Sequence, residues 1–211
     1  MAGLSVYKEI ATPGNNFNTM NNFNNYLALG YEHIVDVGAL DHILFLVALV
    51  AVYQVKNWLR FLLAVTFFAI GHSVTLALGT FKIVEIDSAV IEFLIPVTIV
   101  IVALYNIAQG SPKPRTSGRN WLAGGFGLIH GLGFSNSYQM LVMGDQNVWQ
   151  AMLPFNLGIE LGLLLVAVIL IIALFIYQII FNKKVRDWNL FFSGVAFGLA
   201  LIMCFENWPF G

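Results

Sequence analysis

The sequence predicts an all-α membrane bundle of about six transmembrane helices, with a short amphipathic segment in front of it. Three observations carry that expectation. Of 211 residues, 59% are hydrophobic and only 10% are charged, where a soluble domain carries about 25% charged residues. So little charge cannot cover a globule in water, whereas a bilayer removes that need. The apolar residues also fall in runs near the roughly 20 that cross about 30 Å of hydrocarbon. Lastly, eight of the ten basic residues sit in connections that six crossings place on one side.

Residues 1–25 are polar and asparagine-rich and read as a tail. Phe23, Tyr26, Leu27 and Ile34 then recur at helical spacing, so 20–35 reads as an amphipathic segment resting on the membrane surface. Residues 1–36 are thus expected outside the bilayer, and 37–211 as a single transmembrane domain. The first expected span is 37–55 and the second 58–80. The third, 88–109, contains Pro96, which favours a kink. Ser111 to Gly118 is a loop by its proline, glycine and charge. The fourth span, 119–142, is the weakest because it holds Gly124, Gly125, Gly127, Gly131 and Gly133. The fifth is expected from near Pro154, a good first-turn residue, to Phe181, and the sixth over 188–206.

On this count, Lys56, Arg60, Lys113, Arg115, Arg119, Lys183, Lys184 and Arg186 share one side, and only Lys8 and Lys82 lie opposite. The positive-inside rule makes the first side cytoplasmic and both termini extracytoplasmic, as in a multi-pass bacterial inner-membrane protein. If the weak fourth segment failed to span, the 182–187 cluster would move outside. These basic residues are read as setting orientation and binding lipid headgroups. Trp58, Trp121, Trp149 and Trp188 read as interfacial anchors. A net charge of −1 without a basic stripe gives nucleic acid no foothold. Cys204, the one cysteine, reads as a structural thiol. The N-terminus shows no basic stretch ahead of an apolar core, so no cleavable signal peptide is expected.

The residues that do not belong in lipid are the informative ones. His33, His42, His72 and His130 are all the histidines, and Asp41, Glu92 and Glu160 join them in or beside the spans. An ionisable group at the bilayer centre costs at least about 2.5–3.5 kcal/mol, so it needs a partner, water or a ligand. At about 1.5 Å per residue, His42 and Glu160 lie roughly 9 Å deep, Glu92 6 Å, His72 12 Å and His130 15 Å. All are therefore expected in the outer half. Imidazoles at comparable depth on three helices point to a divalent transition-metal site, since imidazole suits nickel, zinc, copper and iron and carboxylates can complete the shell. His42, His72 and His130 are the expected ligands, with Asp41 or Glu160 adjoining. Asp41 and His42 are adjacent, about 100° apart on a helix, so Asp41 suits orienting a histidine as well as binding. His33, Glu92, Asn156 and Ser73 are further candidates, and Asn156 shares a face with Glu160. The pairs Gly127/Gly131, Gly158/Gly162 and Gly194/Gly198 read as close helix packing.

These residues also form ordered motifs. Gly30-x-x-His33-Ile34 and Gly38-x-x-Asp41-His42-Ile43-Leu44-Phe45-Leu46 open the pattern. Gly71-His72-Ser73-Val74-Thr75-Leu76, Glu92, Gly127-Leu128-Ile129-His130-Gly131-Leu132-Gly133-Phe134 and Phe155-Asn156-x-Gly158-x-Glu160 follow. The series resembles the HupE/UreJ family over about 30–165. It is closer to the branch with histidine-serine-threonine in its second helix than to the hydrogenase-linked permeases. Those carry a histidine-proline before the aspartate-histidine pair, and this chain does not. The resemblance implies a polytopic membrane protein that moves nickel or a related metal for hydrogenase or urease maturation. Three functions follow as alternatives. One is a divalent-metal transporter or facilitator, which in the absence of a nucleotide-binding loop would run down a gradient. The second is an intramembrane zinc hydrolase with a metal-bound water. The third is a membrane scaffold with a structural metal or none.

Overall fold

The computed structural model describes residues 19–36, 40–110, 116–142, 148–182 and 184–209. Residues 1–18 of the expected tail, Val37 and Gly38, the Ser111–Arg115 part of the loop, Lys183 and Gly211 lie outside them. Seven α-helices form among the described residues: α1 Thr19–Val35, α2 Leu40–Val50, α3 Trp58–Thr80, α4 Ser88–Gln109, α5 Thr116–Leu141, α6 Val148–Phe175 and α7 Val185–Glu206.

Four of these, α3, α4, α6 and α7, are long and apolar enough to cross a membrane. The pair α1 and α2, bent by 61°, makes a fifth crossing if it is one span. Their outward faces are apolar: α6 alone exposes Leu153, Leu161, Ile169 and Ile172. Apolar surface this continuous needs lipid or protein over it. The chain is thus a helical membrane protein.

Helix α5 owes its place to packing rather than to hydropathy. Its 26 residues span about 39 Å, and it lies along α3. Gly71 of α3 faces the Gly124 carbonyl, Gly127 of α5 faces the Phe68 carbonyl, and Gly131 faces the His72 carbonyl. Further along, Gly79 faces Ser135 and accepts a hydrogen bond from Gln139 at 2.8 Å. Residue numbers rise together along this seam, so α3 and α5 run parallel, with α4 returning between them. Helix α5 therefore runs beside α3 through the bundle although it is not itself among the apolar candidate spans. A side chain at Gly71, Gly127 or Gly131 would meet backbone, which is the close approach that small residues permit. Gly194 and Gly198 behave differently: nothing in the described chain lies within 4 Å of a Cβ there.

The first crossing differs from its expected form. Helix α1 lies along α6 rather than apart from the bundle. Gly30 faces the Phe155 carbonyl, Gly158 faces the Leu27 carbonyl, and Gly162 faces Ile34, so this seam is also parallel. Helix α2 follows as a short central rod. Leu44, Phe45, Leu46, Ala48, Leu49 and Val50 are all buried, against α4, α7 and α6. Helices α1 and α2 thus form a bent pair packed within the bundle, the form of a broken span or a re-entrant loop. Helix α6 also starts earlier than expected, at Val148, leaving Pro154 inside it.

Helix ends follow local chemistry. The Asp87 carboxylate caps α4 by accepting from the Ala89 N–H at 2.8 Å. Gly110, at φ 60°, ends the same helix in a conformation that favours glycine.

Candidate metal site

The break between α1 and α2 brings the end of one half-helix beside the start of the next. His33 lies in the last turn of α1, and Asp41 and His42 in the first turn of α2. Helix α3 contributes His72 and α5 contributes His130. His42 is the hub, with ring centroids 5.0 Å from His33, 5.4 Å from His72 and 5.3 Å from His130. By helical rise, His72 is about 12 Å from the C-terminal end of α3 and His130 about 16 Å from that of α5. Both rings therefore lie in the C-terminal halves of their helices, the half that the sequence assigns to the outer side. His42, His72 and His130 are 2%, 0% and 1% exposed.

Neighbouring groups orient two of the rings. The Asp41 carboxylate lies 3.0 Å from His42 Nδ1. A carboxylate can only accept, so Nδ1 carries the proton and Nε2 keeps its lone pair. Asp41 also accepts the His42 backbone N–H at 2.9 Å, which fixes the carboxylate against the ring it orients. Thr98 does the equivalent for His130. Its hydroxyl donates to the Ile95 carbonyl at 2.7 Å and has no second proton. His130 Nε2 lies 3.1 Å from the same hydroxyl, which holds the ring in its orientation. A histidine oriented by a carboxylate or hydroxyl is the usual support of a metal ligand.

Several ring nitrogens of the cluster have no protein partner. His33 Nε2, His42 Nε2, both nitrogens of His72 and His130 Nδ1 are buried without a hydrogen-bond partner among the described residues. Each such group costs about 1–3 kcal/mol, and several together in one place point to a missing ligand. The donor set suits a divalent transition metal. Ligand atoms lie within 4.8 Å of one another in two groups, His33/His42/His72 and Asp41/His42/His130.

A family model described as HupE / UreJ protein matches residues 10–207, nearly the whole chain. The chain belongs to the HupE/UreJ family. That family is linked to nickel and cobalt transport. No curated protein and no solved structure matches the chain.

Glu92 and Glu160, two of the remaining candidates of this HupE/UreJ protein, belong to neither histidine group. Glu160 is exposed and lines a cleft of about 640 Å³ between α3 and α6, together with Ser73 and Asn156. Asn156 donates to the Met152 carbonyl at 3.0 Å. Glu92 accepts from Ser88 at 3.0 Å on an exposed turn of α4.

Sequence reasoning overlooked Thr98 and misplaced Arg119. Thr98 is a hydroxyl in an apolar run at the depth of His130, which was the available signal. Arg119, expected as a loop charge, is only 7% exposed and reaches Asn106 at 3.3 Å. Its place in the first turn of α5, where the helix dipole disfavours a cation, was the hint that a partner holds it there.

Proposed function

We propose that this protein carries a divalent transition metal ion, nickel first, across a bacterial inner membrane by way of the His/Asp cluster. The observation that carries the reading is the set of buried imidazole nitrogens, oriented by Asp41 and Thr98 and left without partners. Family membership supports the direction of the chemistry. A buried site beside the ends of half-helices is the usual place for a transported ion, reached alternately from the two sides. The end of the bundle bearing Lys56, Arg60, Arg119, Lys184 and Arg186 is read as cytoplasmic. Reporter fusions after Lys56, Ser117 and Lys184 should then be cytoplasmic, and one at Gly211 external.

The functional test is flux of Ni²⁺, Co²⁺, Zn²⁺ and Cu²⁺ into proteoliposomes holding the purified full chain. Uptake of at least one ion, lost in His72→Ala and His130→Ala, is expected. Gly133 packs against Ile95 of α4, away from the backbone seam, so Gly133→Val should slow flux while equilibrium binding persists. Gly131 is less suitable, because its substituent would strike the His72 carbonyl and disturb the fold. A bound ion with no flux of any of the four metals would overturn transport in favour of an intramembrane zinc hydrolase.

A further inference from the structure

We infer that Phe45, Phe68 and Phe126 form the gate by which the ion leaves toward the basic end of the bundle, and that Phe134 stacked on Phe155 closes the opposite end. The inference rests on the transport reading above and adds the route that the ion takes. Phe45 follows His42 by three residues, and Phe68 and Phe126 precede His72 and His130 by four. Three or four residues make one helical turn. Helix α2 runs toward the basic end, where its Ala48 carbonyl accepts from Asn106 beside Arg119. Helices α3 and α5 run away from that end, with Arg60 and Arg119 in their first turns. Each ring therefore lies one turn from a histidine of its own helix, and all three lie on the same side of the cluster.

Their contacts join these rings into a floor. Phe45 stacks on Phe68 with centroids 4.6 Å apart and meets Phe126 edge-on at 6.1 Å. Phe68 lies 5.1 Å from the His130 ring, 6.0 Å from His42 and 6.3 Å from His72, so it faces three of the four imidazoles. Phe45 and Phe68 are fully buried. Across the cluster, Phe134 is one turn beyond His130, away from the basic end. It lies 3.9 Å from the His33 ring and stacks on Phe155 at 5.4 Å, with ring planes 3° apart. Buried Tyr138 backs this second layer, 4.7 Å from Phe155.

An ion that leaves the cluster toward the basic end has to pass among α2, α3 and α5, the helices that carry His42, His72 and His130. At the next level those helices present rings rather than donors. A constriction of apolar side chains stops an ion by excluding water. Without water, even a monovalent ion meets an idealised Born cost on the order of 20 kcal/mol in a low-dielectric interior. The floor has to part and admit water before the ion can move on. Two such layers, opened one at a time, give access to the cluster from each side in turn.

The test is release of radiolabelled Co²⁺ from proteoliposomes of the purified full chain, oriented by selection on a tag at Gly211, with EDTA placed on one side at a time. Wild type should release the ion slowly to either side. Phe68→Ala should speed release to the basic side by about tenfold, equivalent to about 1.4 kcal/mol off the barrier, and leave release to the opposite side unchanged. Phe134→Ala should do the reverse. Both variants should still bind Co²⁺, because neither ring offers a ligand atom. Should Phe68→Ala fail to fold, Phe126→Ala, which trims a half-buried ring, reads the same side. Release unchanged on both sides in the folded variants, or accelerated on the side opposite to that expected, would overturn the gates and leave the rings as packing. Folded wild type that binds no Co²⁺ would instead remove the transport reading, and the gates with it.

Discussion

Two buried polar clusters lie along the same bundle, and they differ in what their donors and acceptors meet. Near the basic end, Asn106 donates to the Ala48 carbonyl at 2.7 Å and to Ser193 at 3.3 Å, and accepts from Arg119 at 3.3 Å. Asn189 donates to the Asn106 carbonyl at 2.9 Å and accepts from Ser193 at 2.9 Å. Arg119 also lies 5.5 Å from the Tyr105 ring. This cluster joins α2, α4, α5 and α7 through bonds it makes with itself. The histidine cluster joins α1, α2, α3 and α5, yet leaves ring nitrogens unpartnered. A polar group that completes its own bonds stabilises the fold. One that is held in place with its lone pair empty gives up stability for a ligand.

The contrast is open to direct attack. The largest effect is expected for His42→Ala, which removes the ring at the centre of the cluster. Metal binding should fall below detection by dialysis, and binding near wild-type strength would break the distinction. Asp41→Asn and Thr98→Val come next, since they keep every imidazole and remove only what orients one. Isothermal titration should show affinity reduced by about 10–100-fold, the usual cost of losing such support. Asn106→Leu should leave metal affinity unchanged and lower stability by about 2 kcal/mol, taking roughly 0.6 kcal/mol for each of three intramembrane hydrogen bonds. Chemical denaturation in detergent measures it. The smallest effect has the opposite sign. His72→Leu removes two unpartnered nitrogens at similar volume and should stabilise the metal-free protein by about 1 kcal/mol, while weakening metal binding. Destabilisation equal to that of Asn106→Leu would mean that His72 serves the fold.

The same contrast explains what could be read in the sequence. Helices α3, α4, α6 and α7 announce themselves by apolar runs, because lipid-facing surface is a property of composition. Helix α5 does not, since Gly124, Gly127 and Gly131 lower its hydropathy, but the basic residues on either side of it required a crossing. The first span was misread for a related reason. Asn24, Asn25 and Glu32 make α1 look like a surface helix, and only its partner reveals otherwise: Gly30 of α1 meets Gly158 and its neighbours on α6, 128 residues later in sequence. His42, His72 and His130 stood out as ionisable groups in lipid. Their division into two sets, and the place of His33 beside them, depend on the α1–α2 break and on three-dimensional angles that spacing does not encode. Glu160 stood out equally and lies elsewhere, because depth alone does not tell which side of α6 a residue faces.

Metal-linked thermal unfolding compares the two clusters in one experiment. Purified wild type, Asn106→Leu and His42→Ala would be scanned with and without Ni²⁺ or Co²⁺ at about 100 times the dissociation constant, where binding to the native state adds about 2.7 kcal/mol. Wild type should unfold at a higher temperature with metal. Asn106→Leu should gain an equal increment from a lower starting point, and His42→Ala should gain none. A wild-type transition that metal leaves unmoved, or a metal-induced rise that survives His42→Ala, would contradict the assignment of the histidine cluster as the ion site.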